Sequence, residues 1–324
     1  MNARPAFVEH VAEYLTHWRA LGRRYRQEQW LLQKLLSELP TLGHDDLTAE
    51  GFQSWFDRRK HHHPNSRRKW AQLLRHFCVW RRRIEPNCFV PGPELICRAQ
   101  PHVTPVILGD QHVARMLALA DTFGPSPNSP LRPATMRLAV VLLYTTGLRL
   151  GELQRLILGD IEDGGSVLRV RESKFHKSRL LPLSNSTRAE LVAYLVRRTG
   201  VGFGAQPTAP LLCTRARGRV QMRPYSISGL QHGLNSLLRG AARPASFARQ
   251  PRVHDLRHSF AVQALARWYR QGADIQAQLP KLAMYMGHVS IESTAYYLRW
   301  TEEIAALASD RFAQHFEATI GGRS

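Results

Sequence analysis

The stretch MRLAVVLLYTTGLRLGEL (Met136–Leu153) decides how the rest of the chain is read. Apart from Arg137, everything from Met136 to Tyr144 is apolar, and a helix that is apolar on every side belongs in a core. Gly147 supplies the left-handed residue on which such a helix stops. Arg149 follows two residues later and opens another helix. A guanidinium at the edge of a core needs an anionic partner. Glu152, three residues on, can serve as a structural one.

Downstream the periodicity changes. "LILGDIE", "SVLRVRE" and "RLLPLS" are short β-rich runs separated by "DGG" and "KFHKS", the pattern of a small three-stranded antiparallel sheet. Helices resume at "TRAELVAYLVRR" and continue to the end. Upstream, "SPNSPLRPATM" reads as a loop and "LGDQHVARMLALAD" as a helix capped by Asp110. Prolines 86, 91, 93, 101 and 105 mark a connecting segment with little regular structure.

The first hundred residues read as helices. Phe7, Val11, Tyr14, Leu15, Trp18 and Leu21 form one stripe. "EQWLLQKLLSEL" repeats the pattern, and "LTAEGFQSWFDRRK" begins at a Thr48 cap. In "SRRKWAQLLRHFCVWRRR", capped by Asn65 or Ser66, the residues Trp70, Leu73, Leu74, Phe77 and Trp80 make the buried face. The predicted fold is mainly α. An all-helical N-terminal domain (1–98) and a linker (99–105) precede an α-rich domain (106–324) with a small antiparallel three-stranded sheet.

Composition bears on partners. Lys and Arg number 45 against 25 Asp and Glu, a net charge of +20, which points to a polyanion and above all to nucleic acid. Residues 51–100 hold eleven Lys and Arg against three Asp and Glu, so Arg67, Arg68, Lys69 and Arg75 are expected to contact phosphates. Cysteines 78, 88, 97 and 213 lack zinc-site spacing, and the His61–His63 run precedes a proline in a basic segment. No metal is expected. No apolar run approaches a membrane span and the start lacks a secretory signal, so a cytoplasmic protein without membrane association is predicted.

Four fragments carry charge where packing alone would not put it. They are "TTGLRLGEL" with Arg149, "SKFHKSRLLPL" with Lys174 at a hairpin mouth, "HDLRHSFA" with His254 and Arg257 on one helical face, and "GHVSIESTAYY" with His288 and two tyrosines. His258 lies one turn from His254 and is a competing histidine. A cationic pocket holding a phenol fits a phosphodiester: the cations hold nonbridging oxygens and the phenol attacks phosphorus. Paired carboxylates for sugar hydrolysis and a Ser or Cys nucleophile for acyl transfer are missing from this set. No phosphate-cradling Gly-x-x-x-x-Gly-Lys loop is present, and no cofactor is expected.

In the order Arg, Lys, His-x-x-Arg, Gly-His, Tyr, these fragments resemble the tyrosine recombinase (phage integrase-like) family over about residues 106–300. The resemblance implies that Tyr297, nine residues after His288, is the nucleophile, and that Tyr296 packs. It implies that Arg149 and Arg257 clamp the scissile phosphate, that His288 adds a hydrogen bond, and that His254 serves as acid or base and accepts the tyrosine proton. Lys174 then protonates the departing 5′ oxygen, with Lys177 as the rival and a further DNA contact. The implied product is a 3′-phosphotyrosyl link with a free 5′ hydroxyl, rejoined without ATP. The implied partners are double-stranded DNA and further copies of the chain, a tetramer on DNA. The long run "ARWYRQGADIQAQLPKLAMY" before Gly-His resembles members carried by mobile elements. The tail, with Phe312, Phe316 and Ile320 on one stripe, packs on its own domain or docks into a neighbour. A type IB topoisomerase and a non-catalytic DNA-binding regulator are the competing readings.

Overall fold

The computed structural model describes residues 4–101, 103–171, 178–216, 222–242, 247, 249–288, 292–295, 297 and 309. Lys174, Lys177, Tyr296 and the tail stripe at 312, 316 and 320 lie outside the described residues. The chain divides into two compact units, Met1–Val103 and Thr104–Ser324.

The first unit packs α1 (Pro5–Ala20), α2 (Arg26–Glu38), α3 (Ala49–Asp57) and α4 (Pro64–Arg81) around one core. Phe7, Val11, Tyr14 and Leu15 are buried as predicted, but α1 ends at Ala20 and Leu21 is left exposed. Thr48 caps α3 by accepting from the Gly51 N–H at 3.0 Å. The cap of α4 is neither Asn65 nor Ser66. His63 Nδ1 accepts from the Asn65 N–H at 3.2 Å, and Pro64, which has no N–H to lose, starts the helix. On α4, Leu74 and Phe77 are buried, whereas Trp70, Leu73 and Trp80 pack only partly covered. The proline-marked segment after α4 is ordered structure. Cys88 is buried, and Phe89, Val90, Leu95 and Ile96 pack on the core of this unit.

The second unit is built on the apolar stretch that opened the sequence. After α5 (Asp110–Asp121), α6 (Arg132–Thr146) runs through the core with every residue from Leu138 to Leu143 buried. It begins at Arg132, inside the stretch read as a loop, with Pro133 in its first turn. Asp110 is the first residue of α5 and Gly109 its cap, because the Asp110 carboxylate is taken by the Tyr144 hydroxyl at 2.9 Å. Gly147 ends α6 with φ +61°, and a Cβ there would lie 2.5 Å from Phe260, so glycine is required both for the turn and for the close approach.

Next come α7 (Leu150–Arg155) and an antiparallel sheet of β1 (Ile161–Glu162), β2 (Val167–Val170) and β3 (Arg179–Pro182), in the order β1-β2-β3. Most of "LILGDIE" is a turn that only reaches strand geometry at Ile161. α8 (Asn185–Gly200) follows, capped by Ser184. A two-stranded ribbon then interrupts the region read as helix throughout, β4 (Cys213–Arg215) against β5 (Met222–Pro224). The last described elements are α9 (Ile227–Ala241), α10 (Val253–Arg270), α11 (Ile275–Met286) and the short α12 (Glu292–Ala295). No helix among the described residues is long and apolar enough to cross a membrane.

Candidate active site

Two helix C-termini build the site. The last carbonyls of a helix lack intrahelical partners and carry the negative end of its dipole. In the second unit α6 ends at Gly147 and α11 ends at Gly287, each glycine in the left-handed region. Arg257, from the first turns of α10, donates through Nη1 to the Gly147 carbonyl and through Nη2 to the Met286 carbonyl at 2.7 Å. Arg149, between α6 and α7, donates through Nη2 to the Gly287 carbonyl at 3.0 Å. Both guanidinium groups predicted from the sequence thus meet at the same pair of helix ends, though their positions lie 108 residues apart in the numbering.

Glu152 organises Arg149. It sits at the third position of α7, 4% exposed. There it accepts from the Arg149 backbone N–H at 3.0 Å and from Arg149 Nη1 at 2.8 Å. Arg179, on β3, approaches the same carboxylate from the other side, with Nη1 and Nη2 at 3.2 and 2.8 Å, and donates through Nε to the Tyr285 carbonyl at 2.7 Å. Burial alone would raise the Glu152 carboxyl. The Arg179 and Arg149 contacts outweigh it and hold the group at about 2.

The turn after α11 places His288. Its ring Nδ1 shares a hydrogen bond of 2.7 Å with Thr294 Oγ1 from α12, and its ring stacks near Tyr297 at 6.3 Å between centroids. Tyr297 is 3% exposed, and its hydroxyl lies 3.0 Å from His258 Nδ1. His254, one turn before His258 on α10, meets that ring edge-on at 4.6 Å and is itself exposed. The histidine whose Nδ1 meets the Tyr297 hydroxyl is His258, read from the sequence as the competitor of His254.

The charge state of the site follows from crowding. Burial, then Arg257 and Arg149, push His288 down to about 3; burial, then His254, push His258 down to about 4. The protein packed about His254, then Arg257 and Arg149, lower it as well. Burial and the Arg149 charge also push the Arg257 guanidinium below its ordinary value. At neutral pH the three imidazoles are uncharged donors and acceptors beside fixed cations, a setting that an anion would stabilise.

Of the residues predicted from the sequence, Arg149, Arg257, His288 and Tyr297 are brought together, with His254 at the open edge. Sequence reasoning missed Arg179, His258 as the partner of the tyrosine, and Thr294. Only His258 had given a signal, its position one helical turn after His254. The basic residues of the first unit are used differently. Arg68 donates to the Cys97 carbonyl at 2.9 Å and Arg75 to the Pro91 carbonyl, so both tether the segment that follows α4. Arg67 lies over the Phe56 ring at 4.7 Å. Lys69 is exposed and reaches the Gln27 side chain.

A core threaded by α6, a small antiparallel sheet and a tyrosine beside two arginines define an integrase-type catalytic domain. The sequence profile of the phage integrase family matches residues 108–303, and the chain belongs to that family of tyrosine-type site-specific recombinases. It is 31% identical over 316 residues to y4rB, a candidate integrase/recombinase of Sinorhizobium fredii, covering 96% of this chain and 98% of that one. It is 30% identical over 224 residues to the tyrosine recombinase XerA of Pyrococcus furiosus, covering 68% and 66% of the two chains. The Tn1549 transposon integrase, solved with transposon right end DNA, superposes with a TM-score of 0.64 at 15% identity over 94% of this chain and 98% of that one, a likeness of fold.

Proposed function

We propose that this recombinase cuts and rejoins double-stranded DNA through a 3′-phosphotyrosyl link on Tyr297, in the service of a mobile element. The observation that carries the reading is the meeting of Arg149 and Arg257 at the two helix ends beside the Tyr297 hydroxyl. The guanidinium groups hold the nonbridging oxygens and stabilise the charge of the pentacoordinate transition state. His288 and His254 add hydrogen bonds. Lys174 protonates the leaving 5′ oxygen, with Lys177 as the alternative donor. The energy of the broken bond is kept in the phosphotyrosine, and a 5′ hydroxyl from a second strand recovers it. Likeness to an S. fredii integrase/recombinase and to a transposon integrase supports the mobile-element role. The assembly on DNA is a tetramer of this chain.

The test uses nicked duplexes tiled across the DNA flanking the gene, incubated with the protein and run on a denaturing gel. A covalent adduct that is lost in Tyr297→Phe and kept in Tyr296→Phe is the expected result. Shifts in a native gel with no adduct on any duplex would identify a non-catalytic DNA-binding protein. Relaxation of supercoils without strand exchange would identify a topoisomerase-like cleaver.

A further inference from the structure

We infer that His258 is the base that takes the phenolic proton of Tyr297, an assignment that rests on the proposed strand cleavage. Its Nδ1 lies 3.0 Å from the Tyr297 hydroxyl, within direct transfer distance. Both residues are held by α10. His258 is the residue directly after Arg257 on α10, so the base is coupled through one peptide unit to the guanidinium that bridges the Gly147 and Met286 carbonyls. Tyr297 packs in the small cluster formed by Ala261, Val262 and Leu265 of α10 with α11. His254 is exposed, and the His258 ring stands edge-on to it at 4.6 Å. His254 thus faces the open side, where a phosphate would lie, while His258 faces the nucleophile.

The O–H bond of Tyr297 breaks and its proton moves to His258 Nδ1. The phenolate oxygen forms a bond to the scissile phosphorus, and the bond from phosphorus to the 5′ oxygen breaks, that oxygen taking a proton from the general acid. On rejoining, a 5′ hydroxyl gives its proton back to the deprotonated general acid and bonds to phosphorus, the bond from phosphorus to the tyrosine oxygen breaks, and the imidazolium of His258 returns its proton to that oxygen. A neutral imidazole is needed at the start. Burial and the neighbouring His254, together with Arg257 and Arg249 and against Asp255, keep His258 in that form.

The experiment follows single-turnover adduct formation on a nicked duplex that the wild-type protein attacks. His258→Gln and His258→Ala are expected to slow it by roughly 10²-fold or more. Replacing Tyr297 by 3,5-difluorotyrosine, a more acidic phenol, is expected to restore at least about tenfold in these variants and to change the wild type little, since less help is then needed to remove the proton. A merely structural role for His258 predicts no such recovery and overturns the assignment. Faster adduct formation in the variants also overturns it, because the contact would then be a latch holding the tyrosine back. A duplex with sulfur in place of the bridging 5′ oxygen has a leaving group that needs no proton, and recovery on it would make His258 the acid instead. An adduct that forms at unchanged rate in His258→Gln refutes this assignment alone, whereas a wild-type protein that forms no adduct refutes the strand-cleavage reading beneath it. Should neither variant fold, histidine NMR of the intact protein reads the contact itself. Tyr297→Phe must then raise the pH at which His258 titrates, with His254, Asp255, Arg257, Arg249 and His288 unchanged around it, and an unmoved signal overturns the assignment.

Discussion

Glu152 is clasped by Arg179, with both guanidinium Nη atoms on its two carboxylate oxygens at 3.2 and 2.8 Å. The contact joins the start of β3 to the start of α7, and through Arg149 it reaches the turn that carries His288. Glu152→Gln leaves two guanidinium groups without their shared counter-charge. Removing one partner of a buried pair costs about 3 kcal/mol or more, so urea unfolding should show a loss of that size, with a parallel loss of adduct formation. The pH dependence has a definite sign. A carboxyl held at about 2 against an ordinary 4.5 stabilises the fold fully above pH 4.5, and the gain disappears as pH falls toward 2. The gap between wild type and Glu152→Gln should therefore close over that window.

Gly287 tests how closely Arg179 is fitted. Its φ is +66°, and a Cβ would stand 2.9 Å from Arg179 Nη1. Gly287→Ala is expected to cost about 1–2 kcal/mol for the backbone and to displace Arg179 as well, slowing adduct formation. Gly22, with φ +78° and nothing within 4 Å, gives the backbone effect alone. Chemical denaturation and adduct rates for the two alanine variants should separate in rate more than in stability.

The half-buried histidines His258 and His288 predict a second, higher pH window. His258 and His288, held at about 4 and about 3, take up protons on unfolding at any pH between those values and the ordinary histidine range near ~6.5. The fold is thus most stable above that range and weakens on acidification, by at most about 1.4 kcal/mol per pH unit for each histidine and by less where the rings are partly open to water. Urea midpoints measured from pH 7.5 to 5 should fall for the wild type and fall less steeply for His288→Gln. An unchanged slope would show that His288 is not held neutral.

The basic face of α4 separates into two kinds of residue. Arg68 and Arg75 donate to backbone carbonyls of the segment packed on the first unit. Arg68→Ala and Arg75→Ala should each lower stability by about 1 kcal/mol, the ordinary value of such a hydrogen bond. Lys69→Ala should leave stability alone and weaken DNA binding, reducing the slope of log affinity against log salt by about 1. Thermal melts and fluorescence anisotropy over a salt series check both expectations.

Much of this arrangement is legible in the sequence because it depends on local rules. An apolar run ending in glycine gives α6 and its left-handed stop. The three-residue step from Arg149 to Glu152 gives a first-turn carboxylate folding back on the backbone before it. The helical face shared by His254 and Arg257 follows from their spacing. Other parts were misread for equally physical reasons. The segment 86–97 contains three prolines and no regular element longer than one turn, yet arginine donors and apolar contacts fix it to the first unit. The β4–β5 ribbon is too short for a clear alternation. His63 acts as a helix cap through a ring nitrogen, a use that residue preferences do not bring forward.

By itself the sequence determined which side chains have chemistry to offer: two arginines, several histidines and a tyrosine, each set at a helix start, a helix end or a turn. Those assignments rest on interactions within a few residues, which spacing alone encodes. Only the tertiary structure decided their pairing. His254 and His258 share one helical face and one chemistry, and nothing local tells them apart. The choice is made by where α11 and the turn beyond it bring Tyr297, and that depends on Arg149, Arg179 and Arg257 binding carbonyl and carboxylate groups from distant parts of the chain. Such long-range contacts leave no period in the sequence, because the chain between the partners folds separately and is free to vary in length.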